Sequence, residues 1–400
     1  MTAVPNSVPV PADDLSDEVP DRAGLAEGSA VAEAVEVADA VEAAEAAELA
    51  ASVHATPSVL RVQHDTVYAY DAPVELAHHL AWLRPRETAQ QRIRGWTLDI
   101  TPQPDVDAGT TVLPDVGLNH GAALDGLTLP PGAAVHHGSA AWAAWLHGVH
   151  QSQDVWGNWR AGFFHARVHD RLEVSSNFIA ELLPPPPLDP EASPAWEKVA
   201  ARLRYHPGSE HDDAMEFVLP TWYAPLDGAL ARFAREVFRP GVPLLVAAIG
   251  LMHLVHRRFE YRPAATSVGT RATEALTQQR GVCQDFAHVM IGAMRSIGLA
   301  ARYVSGYLLT QPPPGQPRLI GADASHAWVQ VWCPLHGWVA LDPTNAVPAG
   351  IDHVTLAWGR DYADVAPLRG VIRGGGRAHP HVAVTVEPLG GSLLRVERRA

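Results

Sequence analysis

Two cysteines occur in this 400-residue chain, Cys283 and Cys333, and one of them stands where a thiol can do chemistry. Cys283 opens the segment Gly281-Val-Cys-Gln-Asp-Phe-Ala-His-Val-Met-Ile-Gly-Ala-Met-Arg-Ser-Ile-Gly298. A glycine-containing loop there runs into a helical stretch that stops at Gly298, a natural C-terminal cap. Phe286, Ala287, Val289, Met290, Ile291, Met294 and Ile297 make the helix apolar nearly all round, which predicts a buried, central position. A thiol at the start of such a helix meets unpaired N–H groups and the positive end of the macrodipole, which favour the nucleophilic thiolate. The same N–H groups can stabilise an oxyanion on an attacked carbonyl. A buried structural cysteine is the competing reading, since cysteine is commonly buried, and position alone does not separate the two.

A second constellation does. Ser325-His-Ala-Trp-Val-Gln-Val-Trp332 has a strand pattern, Pro334-Leu-His-Gly337 is a turn, and Trp338-Val-Ala-Leu-Asp-Pro-Thr344 is a second strand. His326, Trp328, Gln330 and Trp332 share one face of the first strand, and Trp338, Ala340 and Asp342 share one face of the second. Strict two-residue pairing through Leu335-His336 puts His326 opposite Asn345, so a bulge or a longer turn must adjust the register. With that adjustment Asp342 can orient the imidazole of His326, and His326 can take the proton of Cys283. This is the nucleophile–base–orienter arrangement of triad chemistry. Cys333, seven residues from His326, falls on the opposite strand face and reads as packing.

The elements that must hold these groups are legible around them. With 47% hydrophobic residues the chain has ample material for cores in two or three domains. Residues 1–57 carry 12 acids and one base, Arg22, and read as a disordered acidic Ala/Glu-rich tail. Residues 58–187 read as an N-terminal β-sandwich. Val59 to Tyr70 is its first strand, closed by a turn at Asp71-Ala72-Pro73; Trp96 to Pro102, Phe163 to Val168 and Arg171 to Leu183 are others. A Gly/Ala/His-rich insertion occupies about 104–153. Its His136, His137, His147 and His150 have no carboxylate or cysteine at ligand spacing, so composition accounts for them. A proline-rich linker leads into a helical segment, 188–242, in which Ser193-Pro194 is expected to cap a helix reaching about Tyr205. Leu226, Leu230, Phe233 and Val237 follow at helical spacing. In the catalytic core, 243–370, Leu245, Ala248, Met252 and Val255 form a further apolar stripe. His253 and His256 lie there without the glutamate and spacing of a zinc-protease helix. Residues 371–400 are expected to return as strands, His381 to Val386 and Leu393 to Glu397, with Gly374-Gly-Gly376 as a plain loop.

Composition removes several function classes. Of the formal net charge of −14, the tail holds −11; the rest has 32 acids against 29 bases and no clustered basic face for nucleic acid. No apolar run approaches the roughly 18 residues of a membrane helix, and the N-terminus lacks a basic region followed by an apolar core. A soluble, cytoplasmic protein is therefore expected. Two cysteines make no disulfide framework and exclude a Cys-based structural zinc site. With no calcium-loop pattern either, no cofactor or metal is expected.

Gly281-Val-Cys283, His326-Ala-Trp328 and Trp338 with Leu341-Asp-Pro-Thr344 resemble, in order, the transglutaminase-like (papain-related) core. Over about residues 58–385 the chain also resembles a bacterial transglutaminase-like family with its own N-terminal β domain. Val67-Tyr-Ala-Tyr, Leu83-Arg-Pro-Arg86, Phe259-Glu-Tyr-Arg-Pro263, Gln284-Asp-Phe-Ala-His288, Arg302-Tyr-Val-Ser-Gly-Tyr307 and Arg360-Asp-Tyr-Ala-Asp-Val365 carry that likeness. The resemblance implies an α+β fold with Cys283, His326 and Asp342 as a catalytic triad acting on a peptide or protein amide. It implies that Tyr261 lies near the cleft as an aromatic aid to the oxyanion. Gln284, Asp285, Tyr307 and Trp328 are further substrate-side candidates. Asp285 equally suits the helix start electrostatically, Tyr307, Asp361 and Asp364 are equally readable as structural, and His288, about 140° around the helix from Cys283, reads as a buried hydrogen-bonded histidine.

Overall fold

In the computed structural model, which describes residues 57–106, 148–207, 212–310 and 325–389, the alternating segment after Val59 forms β1 (Ser58–Ala81). Its neighbours in sequence are β2 (Gln91–Thr101), β3 (His150–Gln153), β4 (Trp159–His165) and β5 (His169–Leu182). The acidic tail, most of the insertion and the strand expected at Leu393 to Glu397 lie outside the described residues. Three helices follow: α1 (Trp196–Arg202), α2 (Gly228–Arg235) and α3 (Leu244–Arg258). The chain continues through β6 (Glu260–Tyr261), α4 (Ala272–Gln278), β7 (Arg280–Gly281) and α5 (Cys283–Arg295). Then come β8 (Ala301–Leu308), β9 (Ser325–Cys333), β10 (Gly337–Asp342), β11 (Val347–Pro348) and β12 (His353–Gly359). A short α6 (Tyr362–Val365), β13 (Leu368–Gly374) and β14 (Ala378–Pro388) complete it.

β1 carries both arms of the β region. Its first half lies between β5 and β14, Val62 facing Phe178 on one side and Val386 on the other. Its second half lies between β4 and β13, His79 facing Phe163 and Gly370. All seven strands are hydrogen-bonded into one sheet, where two separate sandwich layers were expected. Ala81, Leu83, Ala161 and Phe163 of one arm nevertheless share a core with Leu60, Val62, Phe178 and Val386 of the other, so the arms serve as layers. Nor does a turn at Asp71-Ala72-Pro73 end β1. The strand runs through it with a register shift between Ala69 and Val74, the irregularity at which a donor-less proline is tolerated. Ala72 N–H donates to the Gly375 carbonyl and Gly375 N–H to that of Pro73, so the β13–β14 loop satisfies the backbone there. Gly374, Gly375 and Gly376 all have positive φ in that loop.

The C-terminal half is a five-stranded sheet, β11-β10-β9-β8-β12, covered by α5. As its all-round apolarity demands, α5 is buried, walled by α2, α3 and α4 as well as by β8 and β9. It ends at Gly298 in the left-handed region, with Gly298 N–H donating to the Arg295 carbonyl and Leu299 N–H to that of Met294. Leu245, Ala248, Met252 and Val255 of α3 are core residues. Leu226, by contrast, precedes α2 and is 52% exposed. Ser193 does not cap its own helix, whose N-cap is Ala195; its Oγ accepts from Leu245 N–H at 3.0 Å and so caps α3 instead. The β region closes onto this half through Tyr307, Val354 and Leu356, which belong to its core.

Candidate active site

Cys283 is the first residue of α5, half-buried, behind an extended N-cap at Val282. The helix start is held by Asp285, whose Oδ2 accepts from Val282 N–H at 2.9 Å and from Thr266 Oγ1 at 2.6 Å. A Cβ on residue 281 would run into that carboxylate, so only glycine fits two residues before Cys283. Burial pushes the Asp285 pKa up, against the two hydrogen bonds that lower it. Asp285 is 1% exposed and turned into the protein, its carboxyl on the Val282 N–H at the helix start.

His326, near the start of β9, donates from Nε2 to Asp342 Oδ2 at the end of β10, 2.7 Å away. Cys283 acts on the same ring, helping to hold its proton, and with Nε2 committed to Asp342 the nitrogen left for the thiol is Nδ1. Burial alone would depress the imidazolium. The hydrogen bond to Asp342 and the charge of its carboxylate, with Cys283 beside the ring, outweigh it and raise the His326 pKa to about 10. Burial likewise opposes ionisation of Asp342. Hydrogen bonds from His326 and His353, with the charge of His326, hold its carboxyl well below the usual range.

Two partners of Asp342 escaped the sequence reading. Asn345 Nδ2 donates to Oδ2 at 2.7 Å, and His353 Nε2 lies 3.2 Å from the same oxygen. Oδ1 accepts from the backbone N–H groups of Thr344 and Asn345. The turn run Asp-Pro-Thr-Asn was a local signal for Asn345, since aspartate commonly binds the backbone two residues on. For His353, eleven residues later in another strand, no local signal exists. His326, Asp342 and His353 place ligand-type atoms within 4.8 Å of one another; the contacts made there are hydrogen bonds to an oxygen with three donors.

Of the other candidates, Tyr261 alone stands beside the thiol. β6 pairs parallel with β7, Tyr261 facing Gly281, and the side chain is 53% exposed. Burial, then the neighbouring Cys283, push its phenol pKa up, so the hydroxyl keeps its proton beside the thiol. Gln284 is turned away, its amide donating to the Val268 carbonyl. Trp328 is buried between His326, ring centroids 6.1 Å apart, and His353, 5.3 Å apart. Tyr307 is fully buried against the β region, its hydroxyl 2.9 Å from His64 Nδ1. Asp361 caps α6 and Asp364 pairs with Arg360. His288 Nε2 accepts from Tyr362 N–H, and burial lowers its pKa to about 3. Cys333 is buried in the core that α5 helps to form, and His256 is tied to the Thr344 carbonyl.

This geometry can be compared with known proteins. The transglutaminase-like superfamily model matches residues 231–343, which include Cys283, His326 and Asp342, and the bacterial transglutaminase-like N-terminal region matches residues 60–112. An uncharacterised protein of Mycobacterium tuberculosis is 34% identical over 84% of this chain and 94% of its own length. The chain belongs to the transglutaminase-like superfamily. An uncharacterised protein of Mycobacterium leprae is 28% identical over 82% of this chain and 99% of its own. A protein-glutamine gamma-glutamyltransferase of Pseudomonas aeruginosa is 34% identical over a shorter stretch, 31% of this chain and 20% of that protein. In fold, this transglutaminase-like chain is similar to the crystal structure of a candidate cysteine protease from Cytophaga hutchinsonii, with a TM-score of 0.58, 17% identity and coverage of 84% and 92%.

Proposed function

We propose that this transglutaminase-like protein cleaves a peptide or isopeptide-type amide through a thioester on Cys283. The observation that carries the reading is the His326–Asp342 hydrogen bond of 2.7 Å, with the Cys283 thiol at the start of a buried helix acting on the same imidazole. The Cys283 thiolate attacks the amide carbonyl carbon, and the new S–C bond leaves charge on the carbonyl oxygen. The first N–H groups of α5, which lack intrahelical acceptors, and the Tyr261 hydroxyl face that charge. His326 gives its proton to the departing amine as the C–N bond breaks. In the second half His326 takes a proton from water, hydroxide adds to the thioester, and the thiolate leaves. Asp342 orients the ring and offsets the imidazolium charge throughout.

Water needs no dedicated acceptor site, which favours hydrolysis over transfer to an amine. The local likeness to a glutamyltransferase supports amine transfer as the second reading. Intact-mass analysis of the protein with a panel of glutamine peptides, with and without a primary amine, tests both. An acyl adduct on Cys283 that yields acid whether or not amine is present supports hydrolysis, and amine adducts support transfer. A cysteine that iodoacetamide labels no faster than Cys333 rules out an activated nucleophile; wild-type Cys283 is expected to label far faster.

A further inference from the structure

We infer that His353 is a positioning residue of this site, donating from Nε2 to Asp342 and thereby holding the carboxylate where it orients His326; the inference rests on the triad reading. The tautomer follows from the partners. Gly350 N–H donates to His353 Nδ1 at 3.3 Å, so Nδ1 carries the lone pair and the ring proton is on Nε2. Nε2 lies 3.2 Å from Asp342 Oδ2. His353 is buried, and Trp328 packs edge-on against its ring and stacks on His326, filling the space between the two imidazoles.

Asp342 is therefore held by strands from both sides of the sheet. β10 brings it in, the turn after β10 secures Oδ1, and β12, at the far edge of the sheet, supplies the His353 donor. Oδ2 is shared by His326, Asn345 and His353. Each donor narrows the positions the carboxylate can take, and the additional donor competes with His326 for the same charge. The ionisable groups facing His326 are Cys283 from α5, Asp342 from β10 and His353 from β12. Loss of the His353 donor concentrates the Asp342 charge on His326, which raises the titration of His326 while loosening its orientation.

The test compares His353→Phe, which fills the space without a donor, with His353→Gln, which keeps an N–H. Iodoacetamide labelling of Cys283 is expected to slow about 10-fold in the Phe variant, the scale of one hydrogen bond to a charged group. It should return to within about 2-fold of wild type in the Gln variant. Nitrogen NMR of histidine-labelled protein should show His326 titrating higher in the Phe variant and at its wild-type position in the Gln variant. In the unaltered protein the same spectra should show His353 protonated at Nε2, whether or not either variant folds. A His353 proton on Nδ1, or a folded Phe variant with wild-type labelling and His326 titration, overturns the inference. Slow wild-type labelling, equal to that of Cys333, instead overturns the triad reading.

Discussion

Cys333 and Gly337 face one another across the β9–β10 hairpin, so the connection is the three-residue loop Pro334-Leu335-His336. That spacing moves the pairing one residue from the strict two-residue turn. Trp338 then faces Trp332 and Leu341 faces Val329, bringing Asp342 within reach of His326. Gly337 has φ of +68°, and a Cβ there would meet nothing within 4 Å, so its requirement for glycine is one of backbone alone. Gly337→Ala should cost about 1–2 kcal/mol in urea unfolding. Gly337→Asn should cost less, since asparagine enters the left-handed region more readily. Equal losses for the two would show that the turn does not demand this conformation.

Asp342→Asn separates orientation from packing. The side chain keeps its volume but loses the charge that lifts His326 to a pKa of about 10. The imidazolium should titrate lower, nearer the free value of 6.5. Turnover should drop about 10³–10⁴-fold, as expected when a triad histidine loses its carboxylate. The pH profile of the acylation rate and histidine NMR check the two effects separately.

Tyr261→Phe removes the exposed hydroxyl beside Cys283 and leaves the ring that contacts Phe286. If that hydroxyl faces the developing oxyanion, kcat should fall about 10²-fold. Iodoacetamide labelling, which forms no oxyanion, should remain at the wild-type rate. A parallel fall in both would place the tyrosine's effect on the thiol instead.

Buried histidines set an acid limit on stability. Burial lowers the pKa of His64 and His79 to about 4 and that of His288 to about 3. These groups are uncharged in the folded state, so their contribution is complete above 6.5 and is lost as pH falls through the folded values. The loss is on the order of 3 kcal/mol for each group fully titrated. His326 has the opposite sign: its raised pKa stabilises the fold below 6.5, and that contribution fades as pH rises through about 10. Urea midpoints should decline between pH 6.5 and 4. His64→Gln should flatten that decline, while His326→Gln should flatten the alkaline side.

Arg295, at the end of α5, is buried and makes its hydrogen bonds to the carbonyls of Phe217, Ala301 and Arg360. Burial lowers its pKa to about 9. Arg295→Met leaves those carbonyls without their donor and should destabilise the fold by about 3–5 kcal/mol, the cost of breaking a buried polar network on one side. Arg295→Lys should recover little, because an ammonium cannot reach three carbonyls in one plane. Guanidinium unfolding midpoints report both.

The structure bears out the sequence reading most fully where the pattern was local. The all-round apolarity after Cys283 sufficed to predict α5 and its burial, and Gly298 the left-handed turn that follows its last residue, Arg295. The alternation around His326 and Asp342 sufficed for the hairpin and its faces, including Cys333 on the core side. Misreadings came where a local signal was answered by distant chain. Pro73 reads as a turn, but the β13–β14 loop supplies its partners; Ser193 reads as a cap for α1, but α3 comes close enough to take its oxygen.

The candidate site divides along the same line. The amino-acid order alone singled out Cys283, His326 and Asp342 as the candidates, because a helix start and a two-residue strand period are short-range consequences of side-chain type. Tertiary structure decided which neighbours touch them. It turned Gln284, Asp285, Trp328 and Tyr307 inward, left Tyr261 beside the thiol, and brought His353 across the sheet to Asp342. Burial then made those contacts count, since hydrogen bonds and charges outweigh desolvation at His326 and Asp342 through partners that sequence distance does not reveal.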